Sequence, residues 1–294
     1  MIQRLMDAIR EKKAPVVVGL DPSLSFLPKS LLCGESEKEI ADAFYAFNRE
    51  LIDATCDLVP AVKPQIAMYE AYGTEGLKAY EKTIRYAQDK GLIVIGDIKR
   101  GDIGSTSEAY AKAHLGDAFH ADIVTVNPYL GSDGIDPFID VCNQRDKGIF
   151  VLVKTSNKSG AELQDQTLQD GRKVYELMAD LVSAWGEKSM DGAYSNVGAV
   201  VGATWPEEAG LLRARMPHTF VLAPGYGAQG ATAKDLSGFF DGNREGVIIN
   251  SSRGIIAAYK KEEYVAFGEA RFAEAAREAT IAMITEIRDV MKGL

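Results

Sequence analysis

The sequence predicts an α/β protein closed into a single (β/α)8 barrel, the TIM-barrel architecture, and three observations carry that expectation. Eight short apolar runs of strand composition recur along the 294 residues, each separated from the next by a helical or loop segment. Strict alternation of this kind implies a parallel sheet, and eight units suit closure. Polar and glycine-rich residues follow the strands rather than precede them, as expected of a site on the C-terminal rim. No G-x-G-x-x-G opens a helix after the first strand, which disfavours the open dinucleotide-binding sheet. No Pro- or Ser-rich linker and no short repeat divides the chain, so residues 1–294 are expected to form one domain.

In chain order, Ile2, Leu5, Met6 and Ile9 share one face of an N-terminal helix that acids interrupt, which is no signal peptide. Ala14 to Leu20 reads as the first strand, ending at Asp21-Pro22. Ile40, Phe44, Phe47 and Leu51 recur at helical spacing. Val59 to Ala67 is the second strand, with Pro60 and Pro64 speaking against regular pairing. Leu77, Tyr80, Ile84 and Ala87 make a helix that Gly91 stops. The third strand begins at Leu92, and a helix is expected over Glu108 to Phe119. Strand four is Asp122 to Val126 and strand five Ile149 to Val153. Ser156 to Gly171 reads as a polar excursion without structure. A helix then carries Val174, Leu177, Met178, Leu181, Val182 and Trp185. Strand six is Val197 to Gly202, followed by a helix entered through Pro206-Glu207-Glu208. Strands seven (Phe220 to Ala223) and eight (Val247 to Asn250) precede a closing helix, Glu269 to Lys292.

Composition limits the function. A net charge of −9 argues against a nucleic-acid-binding surface, and an anionic substrate would need a local cationic site. Three widely spaced cysteines without a C-x-x-C suggest reduced thiols in a cytoplasmic protein. The three histidines form no ligand pair, no metal site is readable, and no run approaches membrane-spanning length.

The chemistry concentrates in Gly91 to Thr106, GLIVIGDIKRGDIGST. Side chains alternate along a strand, so Asp97 and Lys99 point the same way while Ile98 points oppositely. Asp102 follows in a turn bracketed by Gly101 and Gly104. Other rim positions add Asp21, Lys63, Asn127, Thr155 and Ser156. After strands seven and eight come PGYGAQG and SSRGI, where barrels of this class commonly bind phosphate. Glycine lets backbone N–H groups approach an oxyanion, and Arg253 can give two parallel hydrogen bonds to phosphate oxygens. Pro224, Gly225, Gln229, Arg253 and Gly254 are the candidates there. The rim alone therefore indicates an enzyme of a phosphorylated small molecule.

The string DIKRGDIGST resembles the signature of the orotidine 5′-phosphate decarboxylases, lyases that complete pyrimidine nucleotide synthesis by making UMP. The resemblance runs from GLDP in the first strand to SSRGI in the last, and KTSNKSG and NPYLGSDG look like the family's more divergent bacterial branch. Two departures stand out: SSRGI replaces the GRSI of many relatives, and the excursion after strand five is long. The resemblance implies that Asp21 and Lys63 hydrogen-bond the ribose, with Lys63 joining the charged array. It implies that Asp97, Lys99 and Asp102 surround the reacting carbon, and that Asp102 and Thr106 reach into a neighbouring subunit of a homodimer. Ser156 would contact the pyrimidine, and Gln229 and Arg253 would hold the phosphate.

Decarboxylation at C6 of orotate leaves an electron pair with no ordinary sink, and no motif indicates a cofactor to provide one. A fixed cation in a water-excluded site is the remaining device, and Lys99 can serve as that cation and as proton donor. Asp97 and Asp102 would keep a buried Lys99 charged. Two rivals remain. Magnesium-dependent sugar-phosphate decarboxylases and aldolases share the D-x-K-x-x-D strand but, as the resemblance implies, place a metal-binding glutamate on strand two, where this chain has Lys63. A non-catalytic nucleotide-phosphate sensor would be expected to have lost Lys99 or an aspartate, and all are present.

Overall fold

Alternation along the strands splits the apolar residues into two cores. Val17, Ile95, Ile123, Phe150, Leu222 and Ile248 belong to an inner cluster, while Val16, Val18, Val94, Val124, Val151, Val221 and Ile249 belong to a larger outer one with the helices. A strand buried on both faces requires both sets, which is why these runs are almost continuously apolar. A computed structural model describes residues 1–227 and 230–294. Its strands are β1 (Val16–Leu20), β2 (Ala61–Pro64), β3 (Ile93–Arg100), β4 (Ile123–Val126), β5 (Gly148–Lys154), β6 (Met190–Asp191), β7 (Tyr194–Val201), β8 (Thr219–Pro224) and β9 (Val247–Ser251). Eight of them pair in parallel, and the β5–β7 and β1–β9 pairings close the barrel; only the two-residue β6 is antiparallel, against β7.

The helices are α1 (Ile2–Lys12), α2 (Glu37–Thr55), α3 (Ile66–Glu70), α4 (Gly73–Asp89), α5 (Gly104–Leu115), α6 (Ser132–Arg145), α7 (Ala161–Gln164), α8 (Val174–Gly186), α9 (Pro206–Arg215), α10 (Arg253–Ile256) and α11 (Phe272–Gly293). The apolar face of α1 plugs the N-terminal end of the barrel, packing Ile2, Leu5 and Met6 with the inner cluster. That leaves the opposite end for chemistry. Helix α2 starts at a capping box in which the Ser36 hydroxyl accepts from Glu39 N and Glu39 accepts from Ser36 N. It buries Phe44, Phe47 and Leu51, each stabilising by about 2 kcal/mol.

Several boundaries differ from those expected. The second strand stops at Pro64, because Gln65 caps α3 through its side chain and draws Ile66 and Ala67 into a helix. The helix after β3 begins at Gly104 rather than Glu108 and ends at Leu115, so Thr106 is helical. The excursion after β5 is not structureless: it holds a 3-10 turn at Lys158–Gly160, α7, and a bridge between Thr167 and Lys173. No helix among the described residues is long and apolar enough to cross a membrane.

Candidate active site

The inward side of the barrel wall continues upward into a cavity of about 650 Å³ at the C-terminal mouth. Five of the eight barrel strands carry their inner parity on to polar groups. Val17 leads through Gly19 to Asp21, Ala61 to Lys63 and Gln65, Ile95 to Asp97, Ile123 to Thr125, and Ile248 to Asn250 and Ser252. Gly19 leaves the room that Ser252 takes, since a Cβ there would lie 1.9 Å from Ser252 Oγ and 2.7 Å from its Cβ. Leu152, Val200 and Leu222 form the floor, and Phe26, Met68 and Tyr226 also line the space.

Asp97 is the centre of the polar array. Its Oδ2 accepts from Lys63 Nζ at 2.8 Å and Gln65 Nε2 at 3.0 Å. Its Oδ1 accepts from Lys99 Nζ at 2.5 Å and the Thr125 hydroxyl at 2.9 Å. Burial alone would raise the Asp97 carboxyl, but the ammonium groups of Lys63 and Lys99 hold it well below the usual carboxylate range. Lys63 is almost fully buried; burial pulls its pKa down, but Asp97 and Asp21 outweigh this and hold it above the ordinary lysine value. Asp21 Oδ1 lies 3.9 Å from Lys63 Nζ. It and Asn250 Oδ1 are buried acceptors at the cavity that have no hydrogen-bond donor among the described residues. An acceptor removed from water and left unpaired costs about 1–3 kcal/mol, so both favour a ligand that brings hydroxyl or amide donors.

Lys99 differs from expectation in two respects. It meets Asp97, but its backbone has φ 47°, and the β3–β4 register shifts between Gly96 and Arg100, so regular alternation ends just before it. Its side chain is also 45% exposed, so the lysine kept charged despite burial is Lys63.

Of the expected site residues, Asp21, Lys63, Asp97, Lys99, Thr155, Ser156, Pro224, Gly225 and Arg253 line the cavity together. Gly225 has φ 107°, a conformation that side chains disfavour, so the turn after β8 calls for glycine. Asp102, Thr106, Asn127 and Gly254 are not in the cavity wall. Asp102 accepts from Ile103 N at 2.7 Å, and Asn127 Oδ1 accepts from Tyr129 N at 3.0 Å. The expected gathering of Asp102 with Asp97 and Lys99 therefore does not occur within one chain: three residues beyond Lys99, the turn has already left the mouth. Gln229 lies outside the described residues.

Sequence reasoning passed over Gln65, Thr125, Asn250 and Ser252. Inner parity was the available signal, since each stands two or four residues beyond an inward apolar residue. It also gave no role to the excursion. Lys154 is buried between the rings of Tyr175 and Trp205, 4.6 Å from each centroid, and pairs with Asp165 of the excursion. Trp205 Nε1 donates to Thr155 O at 2.8 Å, and Gln164 Nε2 to Thr155 Oγ1 at 2.8 Å. The excursion is thereby fastened where Thr155, Ser156 and Asn157 wall the cavity.

The site is thus a lysine–aspartate–lysine array in the C-terminal mouth of a closed parallel barrel. Residues 14–266 match the model of the Orotidine 5'-phosphate decarboxylase / HUMPS family. The chain is 46% identical over 293 residues to the orotidine 5'-phosphate decarboxylase of Clostridium acetobutylicum, covering 99% of this chain and 100% of that protein. It is 46% identical to that of Rhodopirellula baltica over 97% of this chain and 98% of the relative. The solved structure of Leishmania donovani OMP decarboxylase superposes with a TM-score of 0.78 at 30% identity, covering 99% of this chain and 98% of that one. The chain belongs to the orotidine 5′-phosphate decarboxylase family.

Proposed function

We propose that this protein decarboxylates orotidine 5′-phosphate to UMP, the last step of pyrimidine nucleotide synthesis, without a metal ion. The observation that carries this reading is the pair of ammonium groups, Lys63 and Lys99, hydrogen-bonded to the two oxygens of Asp97. A divalent cation at that carboxylate would meet two fixed positive charges within a few ångströms, which disfavours the sugar-phosphate branch of the family. For orotidylate the same pair is productive. The C6–carboxylate bond breaks heterolytically, CO2 leaves, and the electron pair stays on C6 beside Lys99. Lys99 Nζ stabilises that charge and gives it a proton, and the neutral amine is recharged from solvent. Asp97 faces the substrate carboxylate, and their repulsion is relieved as CO2 departs.

The remaining residues bind. Asp21, whose Oδ1 accepts no hydrogen bond among the described residues, takes a ribose hydroxyl, and Lys63 takes another. Ser156, with Thr155 beside it in the cavity wall, serves the pyrimidine side. Arg253 and Gln229, with backbone groups of Pro224, Gly225 and Gly254, hold the phosphate, whose binding energy supports the closed arrangement. We read the whole chain as one domain acting in the cytoplasm as a homodimer. Ile103, Tyr129 and Leu130, one to three residues from Asp102 or Asn127, are 53%, 77% and 48% exposed, an apolar rim suited to a second copy. Across it Asp102 and Thr106 would complete the partner's site.

Adding orotidine 5′-phosphate to the purified protein should bleach its ultraviolet absorbance as UMP forms. An unchanged spectrum, with turnover of a hexulose phosphate instead, would move the protein to the other branch. A phosphate ligand at Arg253 leads to a second expectation. Arg253→Ala should lower kcat/KM for the nucleotide by about 100-fold or more, a loss of roughly 3 kcal/mol of charge-assisted binding, yet scarcely affect the slow turnover of orotidine. Equal losses on both substrates would reduce Arg253 to a structural role.

A further inference from the structure

The Thr125 hydroxyl is buried on β4 and uses its whole hydrogen-bonding capacity, one donor and two acceptors. It donates to Asp97 Oδ1 at 2.9 Å and accepts from Ile98 N and Lys99 N, both at 3.0 Å. Those two N–H groups belong to the segment where the β3–β4 register slips and where Lys99 takes its positive φ. A regular ladder would give strand N–H groups to carbonyls of the neighbouring strand; here one side-chain oxygen takes two in succession. Irregularities of this kind re-aim a side chain, and a left-handed residue other than glycine persists only where its surroundings hold it. Thr125 supplies that hold from the next strand. Its proton also fixes Asp97 on the oxygen that Lys99 Nζ reaches, so Thr125 Oγ1 holds the backbone end of Lys99 directly and its ammonium end through Asp97. Gln65 supports Asp97 only at Oδ2, and its Oε1 accepts from Ala67 N, outside this segment.

We infer that Thr125 is a positioning residue for the decarboxylation: its hydroxyl holds the bulge that presents Lys99 and orients the carboxylate that Lys99 faces. This rests on the reading of Lys99 as the group acting at C6. Thr125→Val keeps the side-chain shape and removes the hydroxyl, whereas Thr125→Ser keeps the hydroxyl. Sites are counted by UMP titration, so that a loss of folded protein does not pass for a loss of rate. Misplacing a reacting group by about 1 Å costs about 100-fold, and that loss is expected in kcat per UMP-binding site of Thr125→Val. KM and the Kd for UMP should stay within about threefold of wild type, and Thr125→Ser should keep kcat within the same margin. If Thr125→Val does not fold, Thr125→Cys, with a weakly bonding thiol, takes its place in the same comparison. Retained kcat per site in the hydroxyl-free variant would overturn the inference, as would a rise in KM and UMP Kd matching the fall in kcat. A wild-type protein that binds UMP but leaves orotidine 5′-phosphate intact would remove the decarboxylase reading itself, and this inference with it.

Discussion

Lys99→Ala should lose at least about 10⁴-fold in kcat, because one side chain supplies both the electrostatic partner of the developing carbanion and its proton. The fold should survive. Lys99 is nearly half exposed, and Asp97 would keep its hydrogen bonds from Lys63, Gln65 and Thr125. Asp97→Ala is a poorer test: it would strand the buried Lys63 ammonium without its closest anion, at a cost of roughly 3–5 kcal/mol. Circular dichroism and kcat measured on the same Lys99→Ala preparation check the expectation. A wild-type spectrum with substantial residual turnover would show that another group delivers the proton.

The second large effect concerns Asp102. Asp102→Ala should be nearly inactive although Asp102 is absent from the cavity of its own chain, because it would serve a partner's site. Mixing inactive Lys99→Ala and Asp102→Ala chains, unfolding them and refolding them together should then restore activity. By random pairing about half of the dimers are hybrids, and a twofold dimer puts both lesions in one site and neither in the other. Recovered activity should approach roughly a quarter of wild type by the same arithmetic. If Asp102 served its own chain, each hybrid site would carry one lesion and the mixture would stay inactive.

The barrel was legible because its signals are local. Apolar runs, their alternation with helices, and the polar residues just beyond them all lie within a few positions of one another. Asp21, Lys63 and Asp97 could be placed on the inner wall by the same parity that buries Val17, Ala61 and Ile95. The conformation of Lys99 was not legible, because it depends on a hydroxyl that the next strand supplies 26 residues later. The role of the excursion was hidden for the same reason. Lys154, Asp165, Tyr175 and Trp205 come together only when β5, α8 and α9 pack, and nothing in a polar stretch announces a buried cation between two rings. The early end of β2 came from Gln65, a residue whose side chain both caps α3 and reaches Asp97.

The central claim is that a lysine–aspartate–lysine array performs this decarboxylation by electrostatics and proton transfer. Turnover of orotidine 5′-phosphate by wild-type protein, followed by absorbance after exhaustive treatment with EDTA, tests it most directly. The account predicts the same kcat with and without chelator, since two ammonium groups occupy the place where a metal ion would act. Activity that chelation abolishes and Mg²⁺ restores would contradict it.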